Sequence, residues 1–358
     1  MVKKMKPLDI YKGKTVLITG HTGFKGSWLS IWLKELGANV IGFSLEKSDN
    51  DYIFRTSGLS NKIVDERGDI RSNSRFKEVI ERHKPEIIFH LAAQPLVRKS
   101  YRLPKKTFQT NIIGTLNVLD AIRKYDFLNA GVIITTDKCY KNKEFSKGYS
   151  EDDELGGHDP YSASKACAEL LFSSYNDSFF RTNKYVASAR AGNVIGGGDF
   201  SEDRLVVDCV NYLKGNNVIK IRNPISVRPW QYVLEPLYGY LLLGSKLLER
   251  DIEFCSSWNF GPSSDSIVPV SKIADLIVKY WGDGSWIDAH NPNEVLHETS
   301  ILSLNIDKAK KILGWKPKIN IETAVQLTIE WYKNSATDDV YRLCVDQINK
   351  YYDLLLLS

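Results

Sequence analysis

The first half of the chain alternates between two kinds of segment. Short β-branched or apolar runs lie at 15–19 (TVLIT), 39–45 (NVIGFSL), 62–65 (KIVD), 86–91 (EIIFHL), 131–136 (GVIITT) and 185–192 (YVASARAG). Between them, apolar residues recur at helical spacing over 26–36, 72–83, 104–124 and 160–177. A short run that is apolar at nearly every position reads as a strand buried on both faces. Strand–helix alternation of this kind predicts an α/β fold, a Rossmann-type doubly wound parallel sheet. The expected strand order is 3-2-1-4-5-6 with right-handed crossovers.

After about residue 193 the rhythm changes. Gly and Pro become frequent, as in GGGDF, RNPISVRPW and NFGPSSDS, and helical patterns follow at 205–214, 232–248, 270–281, 307–313 and 321–333. This predicts a smaller mixed α/β lobe. The expected division is a dinucleotide-binding domain over 1–192 and a mainly substrate-binding lobe over 193–358, with the chain free to cross back.

Composition narrows the class. The 358 residues are 43% hydrophobic and 25% charged, ordinary globular values with ample material for a core. The net charge of +5 comes from Lys and Arg interspersed with Asp and Glu. No clustered basic stripe points to nucleic acid. The five cysteines, at 139, 167, 209, 255 and 344, are odd in number and form no CxxC pair. That argues against a disulfide framework or a zinc site and for a reducing cytoplasm. The opening MVKKMKPLDIYKGK lacks the apolar stretch of a signal peptide. The most apolar segment, LYGYLLLGSKLL, is too short to span a bilayer, so no membrane partner is expected. His21, His90 and His158 show no ligand spacing, and no metal is assigned.

The first strand runs straight into a glycine loop, with Gly20, Gly23 and Gly26 ahead of a helix. Glycines at that junction allow a tight turn and bring backbone N–H groups to a pyrophosphate, and the helix N-terminus favours its charge. An acid for the adenosine ribose is expected at the end of the second strand, but Ser44 stands there. Ser44 offers one hydrogen bond, no arginine is present for a 2′-phosphate, and Lys47 is nearby. NAD and NADP therefore stay open at this position. Asp69 and Ile70, after the third strand, are candidates to touch adenine or else a turn residue and a core residue.

Two further features carry chemistry. Tyr161 and Lys165, in DPYSASK, are one helical turn apart and share a face. An ammonium there is expected to stabilise the phenolate and make Tyr161 a base for a sugar hydroxyl. The apolar run at 131–134 ends abruptly in Thr135, Thr136, Asp137 and Lys138. A buried strand has no structural need for an acid and a base at its carboxyl end. That end is where open α/β sheets bind ligands.

With these residues in view, the sequence resembles the extended short-chain dehydrogenase/reductase superfamily and, within it, the nucleotide-sugar 4,6-dehydratases. The resemblance rests on TGHTGFKGSWLS, HLAAQPLVRKSY, TTDKCYKNKE, GYSEDDELGGHDPYSASKACAE, RAGNVIGGGDFSEDRL and IRNPISVRPWQYVLEPLYGYL, in order over residues 19–241, continued by WNFGP at 258–262. The glycine loop and YxxxK are generic to the superfamily, whereas HTGFKGSW, TDK and RPWQ are more specific.

The resemblance implies NAD as cofactor, with contacts at Gly20, Thr22, Gly23, Phe24, Lys25, Gly26, Ser44, Asp69, Ile70, Leu91, Ala92, Ala93, Thr135, Tyr161 and Lys165. It implies oxidation of the sugar at C4, loss of water across C5 and C6, and hydride return to C6. Tyr161 would take the 4-hydroxyl proton and Thr136 bond the 4-oxygen. Asp137 would act as acid for the leaving hydroxyl and Lys138 as base or relay at C5. Both reach one sugar only if the strand has ended before them. Burial beside Lys165 would lower the Lys138 pKa. The plainer reading of Lys138 is a salt bridge to Asp137.

Within the family, the Asp–Lys pair points to the branch that takes CDP-glucose, feeding deoxysugars for surface polysaccharide such as lipopolysaccharide O-antigen. Asn193, Arg204 and Arg228 are the implied diphosphate contacts, since guanidinium suits phosphate. Gln94, Arg98 and Gln231 are further substrate contacts. Tyr232 stands where the family pattern has His, which leaves the base open. Trp230, Tyr232, Trp258 and Phe260 are candidates for stacking on cytosine, or core. A homodimer through the helix at about 104–124 and the Tyr161 helix is also implied. The competing readings are a dehydratase or epimerase of another nucleotide sugar and a catalytically silent NAD-binding protein.

Overall fold

The computed structural model describes residues 6–46, 51–145, 147–180, 182–290 and 302–356; Lys47 and the first five residues of the opening stretch lie outside them. Its centre is a parallel sheet of seven strands: β1 (Thr15–Thr19), β2 (Asn39–Ser44), β3 (Val64–Arg67), β4 (Ile87–His90), β5 (Ala130–Ile134), β6 (Tyr185–Ala191) and, much later in the chain, Ser257–Phe260. The strand order 3-2-1-4-5-6 is borne out, with the late strand added beyond β6. Numbered in chain order, the remaining strands are β7 (Asn193–Ile195), β8 (Ile219–Ile221), β9 (Val227–Tyr232), β11 (Ile267–Pro269) and β12 (Trp286–Asp288), and the late strand is β10. Register fixes the sheet: Val16 sits beside Val40 and Ile87, Ile87 beside Ala130, and Ala130 beside Tyr185.

Residues of β4 and β5 are buried at every position, as continuous apolar runs require of strands covered on both faces. The expected strand at 62–65 is found at 64–67. It is an edge strand and its charges are used: Glu66 takes Arg75 and Arg82 at 2.6 and 2.9 Å. An edge strand needs no apolar run, so the pattern alone marked its position poorly.

The helix expected over 104–124 is Pro104–Phe108, a π turn at Gln109–Ile113, and Gly114–Lys124. Helices at Leu205–Lys214 and Val270–Trp281 fall where the spacing predicts them.

The second half does not stay in a lobe of its own. β7, β9 and β11 form a small separate sheet and β8 pairs with β12, but β10 lies against β6. Helix Val340–Leu356 packs back on the first half, with the Tyr341 hydroxyl 2.8 Å from Glu35. Trp28, Trp32, Trp258, Trp315 and Trp331 are fully buried in one apolar cluster that joins both halves. Burying each stabilises the join by roughly 2–3 kcal/mol. No helix among the described residues is long and apolar enough to cross a membrane.

Candidate active site

The site lies along the carboxyl ends of the strands. Gly20 leaves β1 with φ +76°, and a Cβ there would sit 2.8 Å from the Ala92 nitrogen. At Gly26 a Cβ would lie 2.1 Å from the Gly20 carbonyl oxygen, so the helix packs on the loop only with glycine. Gly23 precedes helix Phe24–Glu35, and no side chain caps that helix. Its first N–H groups are thus available to an anion, and the loop fits a dinucleotide pyrophosphate.

Ser44 is buried at the end of β2, and its oxygen accepts from the Thr22 N–H at 3.4 Å. Leu91 and Ala92 are tied to β1, their N–H groups donating to the Thr19 carbonyl and hydroxyl at 3.0 and 3.2 Å. Ala93 follows in the same loop. Asp69 is engaged by Arg71, whose Nε lies 3.0 and 2.9 Å from its two oxygens. A cavity of about 360 Å³ beside it is lined by Asp69, Arg71, Ser72, Gln109 and Ile113. The Ile70 side chain belongs to the core, and its carbonyl takes the Asn117 amide at 2.8 Å.

β5 ends at Ile134, and Asp137–Cys139 form a 3₁₀ turn with Thr136 as its cap. The strict in–out alternation of a strand has therefore stopped before Asp137 and Lys138. The Thr136 hydroxyl donates to Asp137 Oδ1 at 2.9 Å, and its oxygen accepts from the Lys138 N–H at 3.3 Å. Thr136 also neighbours Tyr161 and works against the effect of burial on its phenol. Asp137 is buried, and Lys138 Nζ stands 3.7 Å from it and 3.5 Å from Asn193 Oδ1.

The helix carrying Tyr161 and Lys165 runs from Pro160 to Phe179, capped by Asp159. The phenol runs against the expected shift. Burial pushes Tyr161 up to about 12, only partly offset by Thr136 and the charge of Arg204. Lys165 Nζ donates to the Ile134 carbonyl at 3.0 Å, and burial lowers its pKa to about 8. Lys138 is not the buried lysine that was expected, for a third of its side chain is exposed. Lys25 is the other lysine brought down to about 8, by burial and by the charges of Lys165 and Arg204.

The substrate-side residues divide. Asn193 opens β7 facing Lys138. Arg204 caps helix Leu205–Lys214, 3.8 Å from Asp199, and Arg98 lies 3.6 Å from Asp203. Arg228, on β9, is half-buried. Gln94 is a brace: its amide donates to the Leu96 carbonyl and Thr107 hydroxyl at 3.1 and 2.9 Å, and its oxygen takes the Leu96 N–H at 2.8 Å. Gln231 is buried, donating to the Phe260 carbonyl at 3.0 Å. Its side-chain oxygen has no partner among the described residues. Tyr232, Trp258 and Phe260 are fully buried in the core and do not reach a base; Tyr232 bonds Gln347. Trp230 donates to the Val268 carbonyl.

Sequence reasoning passed over Glu169, Arg190, Asp203 and Arg222. Glu169 carried a usable signal, standing one turn beyond Lys165 on the same face. Asp203 lies 3.5 Å from Arg222 as well as close to Arg98, a meeting that no local spacing announces.

The chain is similar to known proteins. A family model for GDP-mannose 4,6 dehydratase covers residues 17–246. The chain is 44% identical over 333 residues to CDP-glucose 4,6-dehydratase of Salmonella typhimurium, covering 91% of this chain and 92% of that protein. The chain belongs to the nucleotide-sugar 4,6-dehydratase family. Solved structures share the fold of this dehydratase family. An epimerase of Methanothermobacter thermautotrophicus superposes with TM-score 0.81 at 22% identity, over 94% of this chain and 97% of the other. A dTDP-glucose 4,6-dehydratase of Bacillus anthracis, in complex with NAD, superposes with TM-score 0.76 at 19% identity, over 90% and 97%.

Proposed function

We propose that this member of the dehydratase family is an NAD-dependent hydro-lyase that converts CDP-glucose to CDP-4-dehydro-6-deoxyglucose. The observation that carries the reading is the cluster of Tyr161, Thr136 and Asp137, in which the Thr136 hydroxyl bonds Asp137 and Lys138 stands beside it. An epimerase has no use for an acid and a base joined to its tyrosine. Removal of water from C6 needs both.

The glycine loop, the N-terminus of helix Phe24–Glu35 and Asp69 would hold NAD, with Tyr161 and Lys165 beside its reactive end. Bound NAD supplies the acceptor for the C4 hydride and its return to C6. Tyr161 takes the proton of the 4-hydroxyl; burial holds it near 12 even with the charge of Arg204 acting on it, so further positive charge, from Lys165, would have to stabilise the phenolate. Thr136 orients the 4-oxygen. The ketone at C4 acidifies the C5 proton, Lys138 takes or relays it, Asp137 protonates the leaving 6-hydroxyl, and a proton returns to C5 as the hydride returns to C6. Asn193, Arg204, Arg228 and Arg98 are the proposed diphosphate contacts. Gln94 is buried, with its side-chain amide held by Leu96 and Thr107 and its backbone by Asn111, which argues against direct substrate contact.

Exposed apolar side chains on adjoining helices, Ile113 at 42% and Leu170 at 58%, support a homodimer through that face, which equilibrium sedimentation checks. All five cysteines are free, in keeping with a cytoplasmic enzyme that feeds deoxysugars to surface polysaccharide; fractionation of the source cells tests the location.

The decisive test incubates the purified protein with NAD and, separately, CDP-glucose, dTDP-glucose, UDP-glucose and GDP-mannose. Alkali-induced absorbance of the 4-keto-6-deoxy sugar is read, with mass loss of one water. Signal with CDP-glucose is expected. Signal only with another nucleotide overturns the base, and no water loss from any of the four overturns the reading.

A further inference from the structure

Below the catalytic pair lies an ion pair that the reaction itself does not require. Glu169 follows Tyr161 and Lys165 at successive four-residue steps, so the three side chains share one face of the helix. Glu169 and Arg190, which projects from β6, lie 2.7 Å apart with 0% and 3% of their side chains exposed. Burying such a pair is costly, and an apolar pair of similar volume holds a sheet and helix together as well or better. Structural stability alone is a weak reason for its presence.

Its connections lead to the site. One Glu169 oxygen accepts the Thr135 hydroxyl, the residue directly before Thr136 and Asp137. The other takes Arg190, the Ser188 hydroxyl at 2.8 Å and the Ser257 hydroxyl at 3.2 Å. Arg190 continues to the Tyr140 hydroxyl at 2.6 Å and the Glu151 carbonyl at 2.9 Å. The two ends of the catalytic turn, Thr135 and Tyr140, are thus pinned to one buried pair.

Lys165 is enclosed by charged and titratable groups from several elements. Glu169 and Tyr161 stand on its own helix, Cys139 on the turn after β5, His90 on β4 and Lys25 in the first turn of helix Phe24–Glu35. Burial and the field of Lys165 bring His90 down to about 3, so it is neutral. The Cys139 thiol is held well above its usual range by burial, so it is neutral too. Glu169 is therefore the one formal negative charge among these neighbours.

We propose that Glu169, held by Arg190, is a positioning residue for the dehydration. It keeps Lys165 in its ammonium form beside Tyr161 and anchors the Thr135–Tyr140 turn that presents Thr136 and Asp137. This rests on the reading that Tyr161 and Lys165 perform the C4 oxidation.

The test is a pH profile of kcat with CDP-glucose for the wild-type protein and for E169Q and E169D. Removing the nearest negative charge lowers the pKa of Lys165, so the alkaline limb in E169Q moves down by about one pH unit. E169D, with the charge retained, keeps the wild-type limb. An E169Q limb that stays in place while only the melting temperature falls shows a structural pair and overturns the proposal. Should E169Q fail to fold around an unpaired Arg190, the double variant E169Q/R190Q removes both charges. A smaller downward shift is expected from it, because the opposing charge of Arg190 goes too, and an unmoved limb overturns the proposal. Failure of the underlying reading is separate, because the wild-type protein would then release no water from any sugar.

Discussion

Glu169 and Arg190 face each other at 2.7 Å with almost no exposure, whereas across the cleft Arg98, Arg222 and Arg204 meet their carboxylates at 3.6, 3.5 and 3.8 Å with 34%, 46% and 43% of their side chains exposed. Under the proposed function the difference follows from what each side would have to do. Groups that move protons must hold one geometry through the turnover, and desolvated partners enforce it. Groups that admit and release a charged substrate need partners that are easily exchanged. An exposed ion pair is worth about 0–1 kcal/mol, so a diphosphate with several acceptor oxygens displaces it readily.

The contrast extends to a second buried carboxylate. Glu169 has a guanidinium and stays below the usual carboxylate range despite its burial. Glu235 is equally buried, but its close partners are the N–H groups of Lys318 and Ile319 at 2.8 and 2.6 Å and the Tyr351 hydroxyl at 2.9 Å. Burial lifts it to about 7, only partly offset by these hydrogen bonds and the charge of Lys318. The two carboxylates show that a hydrogen-bond count alone does not set the charge of a buried acid.

The sharpest break of the proton-moving side is D137N, a nearly isosteric change that removes the acid for the leaving hydroxyl. Water loss is expected to fall by about 10²–10⁴-fold. Reduced nicotinamide should still appear on mixing, because the C4 oxidation does not use Asp137. Rapid-mixing absorbance together with product mass checks this, and equal loss of both signals would remove Asp137 from the elimination step.

Next in size is the pH dependence set by Glu235. A carboxyl whose folded pKa is raised stabilises the fold below its unfolded value, and that contribution is lost as pH rises through the folded value. Stability should therefore decline between about pH 4.5 and about 7, by roughly 3 kcal/mol at most. Urea midpoints across that window should fall for the wild-type protein and run flatter for E235Q. Parallel curves would assign the pH dependence elsewhere.

The smallest effect is expected on the open side. R98M should raise KM about tenfold, the loss of one charged hydrogen bond to a diphosphate, and leave kcat within about threefold. A fall in kcat at constant KM would place Arg98 with the chemistry and erase the contrast between the two sides.

Much of this was legible without coordinates. The continuous apolar runs at 15–19, 86–91 and 131–134 marked the central strands because burial on both faces leaves no polar position to disguise them. The YxxxK spacing marked the helix that carries Tyr161 and Lys165 because one turn of helix is a local fact. β10 escaped because its four residues sit in a Gly- and Pro-rich half, and nothing local says that they return to the first sheet. The family resemblance of its loop implies Gln94 as a substrate contact, whereas in the fold its amide is occupied by Leu96 and Thr107. The expected fall in the Tyr161 pKa neglected burial, which tertiary packing sets.

By itself the sequence determined the doubly wound class, the glycine loop and the presence of Tyr161, Lys165, Asp137 and Lys138 at a strand end and a helix start. Each is a matter of periodicity or of spacing within about one turn. Only the tertiary structure decided which charges are desolvated and which remain open to water. It brought Arg190 of β6 to Glu169 of the helix, and Arg98 and Arg222 to Asp203. The pairing of groups 21, 105 and 19 residues apart depends on sheet register and helix docking, and no local interaction along the chain encodes it.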